Sequence, residues 1–378
     1  MPRPSGVSLT VNVRVLLTAL LITVPPILID LTLVLDRSRG AFIEQSGDYL
    51  ETLARNAASQ TSRFVEENVA DLRALAARNE ILASVRAANR AHGSRIQLEA
   101  EDEYRKIDQQ WQSKQAEPVV ETIVGNPLAV SLRDYLALNA DFTRIVVADR
   151  LGVTVAATHK PDLYYHGDQS WWITSYGGGH AGAANLTDAH WDPITRTDCL
   201  AMSVPIVDDR TKRVIGVVRG FMDVASLGTL VAQLEPGGRS KALIVKRDGR
   251  IVAARDAVPG MQGESDEMET VAAVLQERSS GHLAVSLRGG GEALLGYSDF
   301  GLAKVHPEID WVALVVQDSG EAMAALRAVN LRALATSLLA ILLVGTLAVY
   351  FSVHRPKELD PLEELQEDKA SRSREEPS

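Results

Sequence analysis

The chain has 378 residues, 46% hydrophobic and 23% charged, with a net charge of −10 from 39 basic and 49 acidic residues. That charged fraction excludes wholesale disorder, and the absence of a basic footprint excludes nucleic acid as a partner. The single cysteine, Cys199, excludes an intrachain disulfide and a Cys-rich metal site. Followed by Leu200, Ala201 and Met202, it reads as a small buried strand residue.

Residues 1–14 carry Arg3 and Arg14 and precede an apolar run over 15–35, broken only by Pro25-Pro26 and Asp30. A bilayer core of about 30 Å takes about 20 helical residues, so the run is predicted to span. It is long for a cleaved signal, and no small-x-small cleavage pattern follows it. The positive charge ahead of it predicts a cytoplasmic N-terminus, with Asp30 near the outer interface.

Residues 41–89 hold no proline, and Gly47 is their one glycine. Leu50, Leu53, Ala57, Phe64, Leu72, Leu75 and Leu82 recur at helical spacing and predict one long stalk helix. At 1.5 Å per residue it extends on the order of 70 Å. Its apolar stripe serves domain packing, a dimer seam, or both. Further helices are predicted over 97–114 and over 130–138, after the Asn126-Pro127 break.

Strands begin at Thr143. RIVVADRLGVTVAAT reads as a hairpin turning at 149–152, and ALIVKRDGRIVAARD as a second one turning at Asp248-Gly249. The first continues to CLAMSVPIVDD and RVIGVVRGFMDV, the second to HLAVSLRGGGEALLGYSDF and WVALVVQD. This shared order predicts an internal repeat of two antiparallel modules, hence an α+β fold. Its parts are a stalk and helical segment (36–140), a membrane-distal module (141–232) and a membrane-proximal module (233–330). An uncharged apolar run over 333–353 predicts a second span. The tail 354–378 is short and charged, and no kinase, cyclase or DNA-binding pattern is visible in it. Its Asp360-Pro361-Leu362-Glu363-Glu364-Leu365 is similar to the opening of a HAMP helix, against the plainer reading of a solvated tail.

Tyr164, Tyr165, Trp171, Trp172, Tyr176 and Trp191 fall within 28 residues of a chain that is 5% aromatic. About 1.4 would follow from that average, so a ligand site is predicted beside the alternative of core packing. With Asp168, Asp188, Asp192 and Asp223 nearby, the composition suits a small cationic or amine-bearing ligand. Asp223 is either a ligand contact or the cap of the following helix. Gly177-Gly178-Gly179 and Gly182 read as a pocket lid, since no P-loop lysine makes them a phosphate cradle. The repeated His-x-Asp, His166 to Asp168 and His190 to Asp192, offers ligand types that a divalent metal takes and reads better as polar loop. No His-Glu-x-x-His or Gly-x-Ser-x-Gly is present, so neither an enzyme nor a cofactor is predicted.

GDQSWWITSYGGGHAGAANLTDAHWDP, SVPIVDD, VIGVVRGFMDV and the ending DWVALVVQDSGEAM together resemble the double Cache family. These are tandem PAS-like extracytoplasmic sensors of bacterial chemoreceptors and histidine kinases. The resemblance implies a ligand pocket in the distal module. In the amino-acid-binding branch it implies contacts at Tyr164, Gln169, Trp171, Trp172 and Asp223. The family's carboxylate-gripping arginine is replaced by Gln169, which supplies no charge-assisted bidentate contact. The expected site is therefore Tyr164, Tyr165, Asp168, Gln169, Trp171, Trp172, Asp188 and Asp223.

The expected protein is a two-span, homodimeric sensor of the bacterial cytoplasmic (inner) membrane. It binds a small polar molecule outside and signals through its second span to a separate partner. The alternatives are a non-sensing membrane scaffold subunit and a metal-dependent extracytoplasmic enzyme.

Overall fold

The structure is a computed structural model describing residues 13–111, 113–235, 240–255, 271, 274, 277–286 and 292–353. It divides into two units, Met1–Phe42 with Met323–Ser378, and Ile43–Ala322.

The first unit holds the start of α1 (Val13–Ala76) and most of α8 (Ser319–Val353). Among the described residues, one stretch is long and apolar enough to cross a membrane, Arg327–Tyr350, with a mean hydropathy of 2.2. The predicted second span lies in this helix. The predicted first span lies in α1, where Leu17, Leu21, Ile22 and Ile29 are exposed. Ser38 Oγ of α1 donates to Asn330 Oδ1 of α8 at 3.3 Å. The charged tail expected after 353 lies outside the described residues.

In the second unit the predicted stalk is two helices, not one. α1 ends at Ala76, and α2 runs Asn79–Ala91 after an extended Arg78 (ψ 141°). The break has a packing reason. It turns Ile81, Leu82 and Val85 against the first sheet, while the Arg78 guanidinium sits 5.1 Å from the Tyr135 ring. Leu50, Ala54, Ala57, Val65, Leu72 and Leu75 of α1 are buried in the same core. The stripe thus faces its own domain, as the i, i+3, i+4 spacing allows.

α3 (Gln97–Gln109) stops five residues before its expected end. α4 (Glu117–Gly125) was not anticipated, although Pro118 suits a helix's first turn. α5 (Pro127–Leu138) starts three residues earlier than expected. The reason is a cap: Asn126 Oδ1 accepts from the Ala129 N–H at 2.8 Å.

The two sheets repeat one topology. The strands β1 (Phe142–Asp149), β2 (Thr154–Ala157), β3 (Asn185–Asp192), β4 (Thr197–Val207) and β5 (Val214–Asp223) form an antiparallel sheet of order β2-β1-β5-β4-β3. The strands β6 (Lys241–Lys246), β7 (Ile251–Ala254), β8 (Ser280–Ser286), β9 (Glu292–Asp299) and β10 (Trp311–Asp318) follow the same order, β7-β6-β10-β9-β8. α6 (Ser170–Tyr176) lies in the first sheet's insert, and α7 (Ala225–Ala232) joins the sheets. One face of each sheet meets the α1 core. At Gly296 of β9 the α1 backbone comes so near that an added Cβ would stand 2.1 Å from the Leu50 carbonyl carbon, so only glycine fits.

Candidate ligand-binding site

Side chains alternate across a strand, and in the first sheet this separates two chemistries. Ile145 and Val147 of β1, Leu200 and Met202 of β4 and Val218 and Met222 of β5 face the helical core. The other face carries Arg144, Val146, Cys199, Ala201, Arg219 and Phe221. Over it folds the segment linking β2 to α6. Between them is a cavity of about 130 Å³ lined by Arg144, Val146, Pro161, Asp162, Leu163, His166, Gln169, Trp171, His190, Arg219 and Phe221.

Its two guanidiniums are held differently. Arg144 is buried, its Nε 3.1 Å from the buried Asp192 carboxylate as an ion pair without hydrogen-bond geometry, and its central carbon 3.8 Å from the Phe221 ring. Its NH1 and NH2 reach the exposed Asp162 at 3.4 Å. Asp192 also accepts from the Ile194 N–H at 3.1 Å and the Thr195 hydroxyl at 2.9 Å, so this ion is well held. Arg219 forms no ion pair among the described residues. Its NH2 donates to Thr187 Oγ1 at 3.5 Å, and its Nε is sealed from solvent without a partner. Ring faces hold it instead, with its central carbon 4.5 Å from the Trp171 ring and 5.1 Å from Phe221. Burial, and then the charge of Arg144, pull Arg219 down to about 10. It stays cationic at neutral pH. An unpaired charge in such a place costs several kcal/mol, roughly.

The neighbours stay neutral. Burial, then the charges of Arg219 and Arg144, push His166 down to about 3. Its Nε2 lies 3.1 Å from Thr154 Oγ1, and its ring centre 5.1 Å from that of Trp171. His190 Nδ1 donates to the Asp188 carbonyl at 2.9 Å, and its Nε2 lies 3.8 Å from Cys199 Sγ. Burial raises the Cys199 thiol to about 12, so it is no thiolate nucleophile.

Of the eight residues expected at the site, Gln169 and Trp171 line this cavity. Tyr164 and Tyr165 instead pack on α3. The Tyr164 ring lies 5.5 Å from Trp111, and Tyr165 stacks on Tyr104 at 6.2 Å. Asp108 of α3 accepts both of their backbone N–H groups, at 2.6 and 3.3 Å. Trp172 is buried behind the cavity, stacked on Tyr176 at 4.6 Å, its Nε1 donating to the Asp149 carbonyl at 3.3 Å. Asp168 pairs with Arg105 at 2.8 Å. Asp188 joins the two sheets, 2.7 Å from Lys246 Nζ and accepting from Trp311 Nε1 at 2.8 Å. Asp223 Oδ1 accepts from the Ala225 N–H at 2.8 Å where α7 begins, and lines a second cavity with Asp198, Thr229 and Arg255. The glycine run closes α6, with Gly177 left-handed (φ 56°), and is not among the lining residues.

Sequence reasoning passed over Arg144, Asp162, Arg219 and Phe221. A signal was there: an arginine in the β1 run RIVVAD and another in the β5 run VIGVVRGFMD, each inside an otherwise apolar strand. Such a charge is either at an edge or buried with a purpose. Among the described residues, the His-x-Asp pairs gather no metal-like ligand set. The grouping found, Glu44, Asp48 and His282, lies elsewhere and is largely exposed.

The profile of the Cache domain family matches residues 38–326. No curated protein matches the chain. Solved structures similar to it include the ligand-binding domain of the Pseudomonas aeruginosa amino acid chemoreceptor PctB in complex with L-Arg, at 18% identity and TM-score 0.42, covering 74% of this chain and 97% of that one. That of the Pseudomonas fluorescens chemoreceptor CtaA with L-leucine has 15% identity and TM-score 0.45, covering 76% and 100%. That of the Campylobacter jejuni chemoreceptor Tlp3 with L-norvaline has 14% identity and TM-score 0.48, covering 75% and 95%. With its long helix, its two sheets of one topology and the family profile spanning both, the chain belongs to the Cache domain family, in its tandem, double form.

Proposed function

We propose that this protein is a membrane-anchored extracytoplasmic sensor, not an enzyme. Helices over 15–35 and 333–353 span the bacterial cytoplasmic membrane and leave the tails 1–14 and 354–378 inside. The first sheet is the membrane-distal module (141–232) and holds a small polar ligand. The second is the proximal module (233–330), whose last strand continues directly into α8. The observation that carries this reading is the cavity on the first sheet's outer face, lined by charged, amide and aromatic groups. Gln169 and Trp171 contact the ligand. Tyr164, Tyr165, Trp172 and Asp168 hold the segment that covers it, and Asp188 and Asp223 tie the first sheet to the second sheet and to α7.

A ligand shifts a conformational equilibrium only by its differential affinity for the two states, and reversing a 1:99 population takes about 10⁴-fold. The segment carrying Gln169 and Trp171 supplies such a difference, because it contacts ligand only when folded over the sheet. The bias passes along α8 of a homodimer to a cytoplasmic signalling partner. The test is thermal unfolding of the full chain in detergent against small acids, amines, amino acids and purines. A binding ligand at 100 times its Kd stabilises by about 2.7 kcal/mol. Absence of any stabilised condition overturns sensing, and a reporter fusion showing residue 172 in the cytosol overturns the topology.

A further inference from the structure

We propose that the ligand of this cavity is a short monocarboxylate, its carboxylate serving as the counter-ion that Arg219 lacks and its apolar end lying against Trp171 and Phe221. The proposal rests on the sensor reading and names the chemistry of its ligand.

Charge decides the headgroup. Arg144 already has Asp192, itself fully engaged. Arg219 has one long bond to a hydroxyl and no carboxylate partner among the described residues. A guanidinium presents its donors in a planar fork that fits a carboxylate. Gln169 on the covering segment supplies an uncharged amide beside it. A ligand carrying only an amine would instead meet two guanidiniums, with Asp162 at the rim as the one carboxylate among the lining residues.

Volume and surface decide the rest. At about 130 Å³ the cavity is slightly smaller than an engineered 150 Å³ cavity that takes benzene. That fits roughly three to five heavy atoms beyond a carboxylate carbon and leaves no room inside it for a whole purine nucleoside. Val146, Pro161, Leu163 and the two rings form an apolar side that an inorganic oxyanion would leave unused.

The test uses the full chain in lipid nanodiscs, followed by thermal unfolding and calorimetric titration. The probes are acetate, propionate, butyrate and lactate, with propionamide and butyramide as uncharged isosteres, propylamine as the cation and sulfate as the inorganic anion. The expected result is stabilisation by at least one monocarboxylate, with its amide at least tenfold weaker. Arg219→Gln should remove that response while folding as well as the parent, because it deletes a charge without a counter-ion. Arg219→Lys should retain part of it. Equal binding of acid and amide, preference for propylamine, or sulfate binding better than every carboxylate would each overturn the proposal and leave the sensor reading intact. Carboxylate binding unchanged in Arg219→Gln would overturn the assignment of Arg219. Stabilisation by none of these probes overturns the monocarboxylate class. The sensor reading itself falls only if the wider panel of amino acids, amines and purines is silent too.

Discussion

The two sheets share strand order and hydrogen-bonded neighbours, yet their outer faces differ. In the second sheet that face buries Leu243 and Val245 of β6, Leu295 and Tyr297 of β9, and Val312, Leu314 and Val316 of β10. In the first, the corresponding central strands put Arg144, Arg219 and Phe221 there, with Asp192 and His166 around them. One face closes as an apolar core. The other cannot, because packed guanidiniums need partners and room. The same backbone plan therefore carries an apolar outer face once and a charged face beside a cavity once, and the side chains on the strands set that difference.

Four substitutions test this contrast. Asp192→Ala leaves the buried Arg144 with only the exposed Asp162 at 3.4 Å, and should cost about 3–5 kcal/mol in denaturant unfolding. A loss below 1 kcal/mol would mean that the face tolerates unpaired charge. Leu314→Ala, at the centre of the apolar face, should cost about 2–5 kcal/mol by opening a cavity. Ligand affinity in the folded protein should not change, and if it does the two faces are coupled.

His166 gives a pH signature on the first sheet's outer face, and burial lowers His306 of the second module as well. The folded value of His166, about 3, lies below the ordinary 6.5. Between those values the unfolded chain binds the extra proton, so stability is full above about pH 6.5 and falls as pH drops toward 3. At pH 5.5 linkage puts the loss at about 1–2 kcal/mol. His166→Gln should flatten that part of the curve of melting temperature against pH, and an unchanged slope would show that His166 is not held neutral. The smallest effect is expected at Asn126→Ala, which removes the α5 cap and a bond to the Val155 carbonyl. It should cost about 1 kcal/mol with carboxylate binding unaltered.

Much of the fold was legible before any coordinates. The two hairpins turn where Asp149 to Gly152 and Asp248-Gly249 stand, because aspartate and glycine accept turn geometry that apolar residues resist. The repeat was visible as a shared order of strands and is realised as one topology used twice. The helical region was read less well. The α1–α2 break falls at Ala77-Arg78, where neither proline nor glycine announces it. α4 went unread behind Pro118, which begins a helix there. The site was read in part. Aromatic density drew attention to the segment around Trp171, which lines the cavity with Gln169, while the nearby acids take up other tasks. Asp168 meets Arg105, Asp188 meets Lys246, and Asp223 accepts from the first N–H of α7.

Whatever depends on neighbours along the chain could be read directly: apolar runs, strand alternation, turn chemistry and the order that repeats. Which charge meets which emerges from folding in three dimensions. Arg144 pairs with Asp192 across 48 positions of sequence, while Arg219 draws Trp171 to its guanidinium and meets no carboxylate among the described residues. Electrostatic energy depends on distance and burial in space, and neither can be counted along a chain.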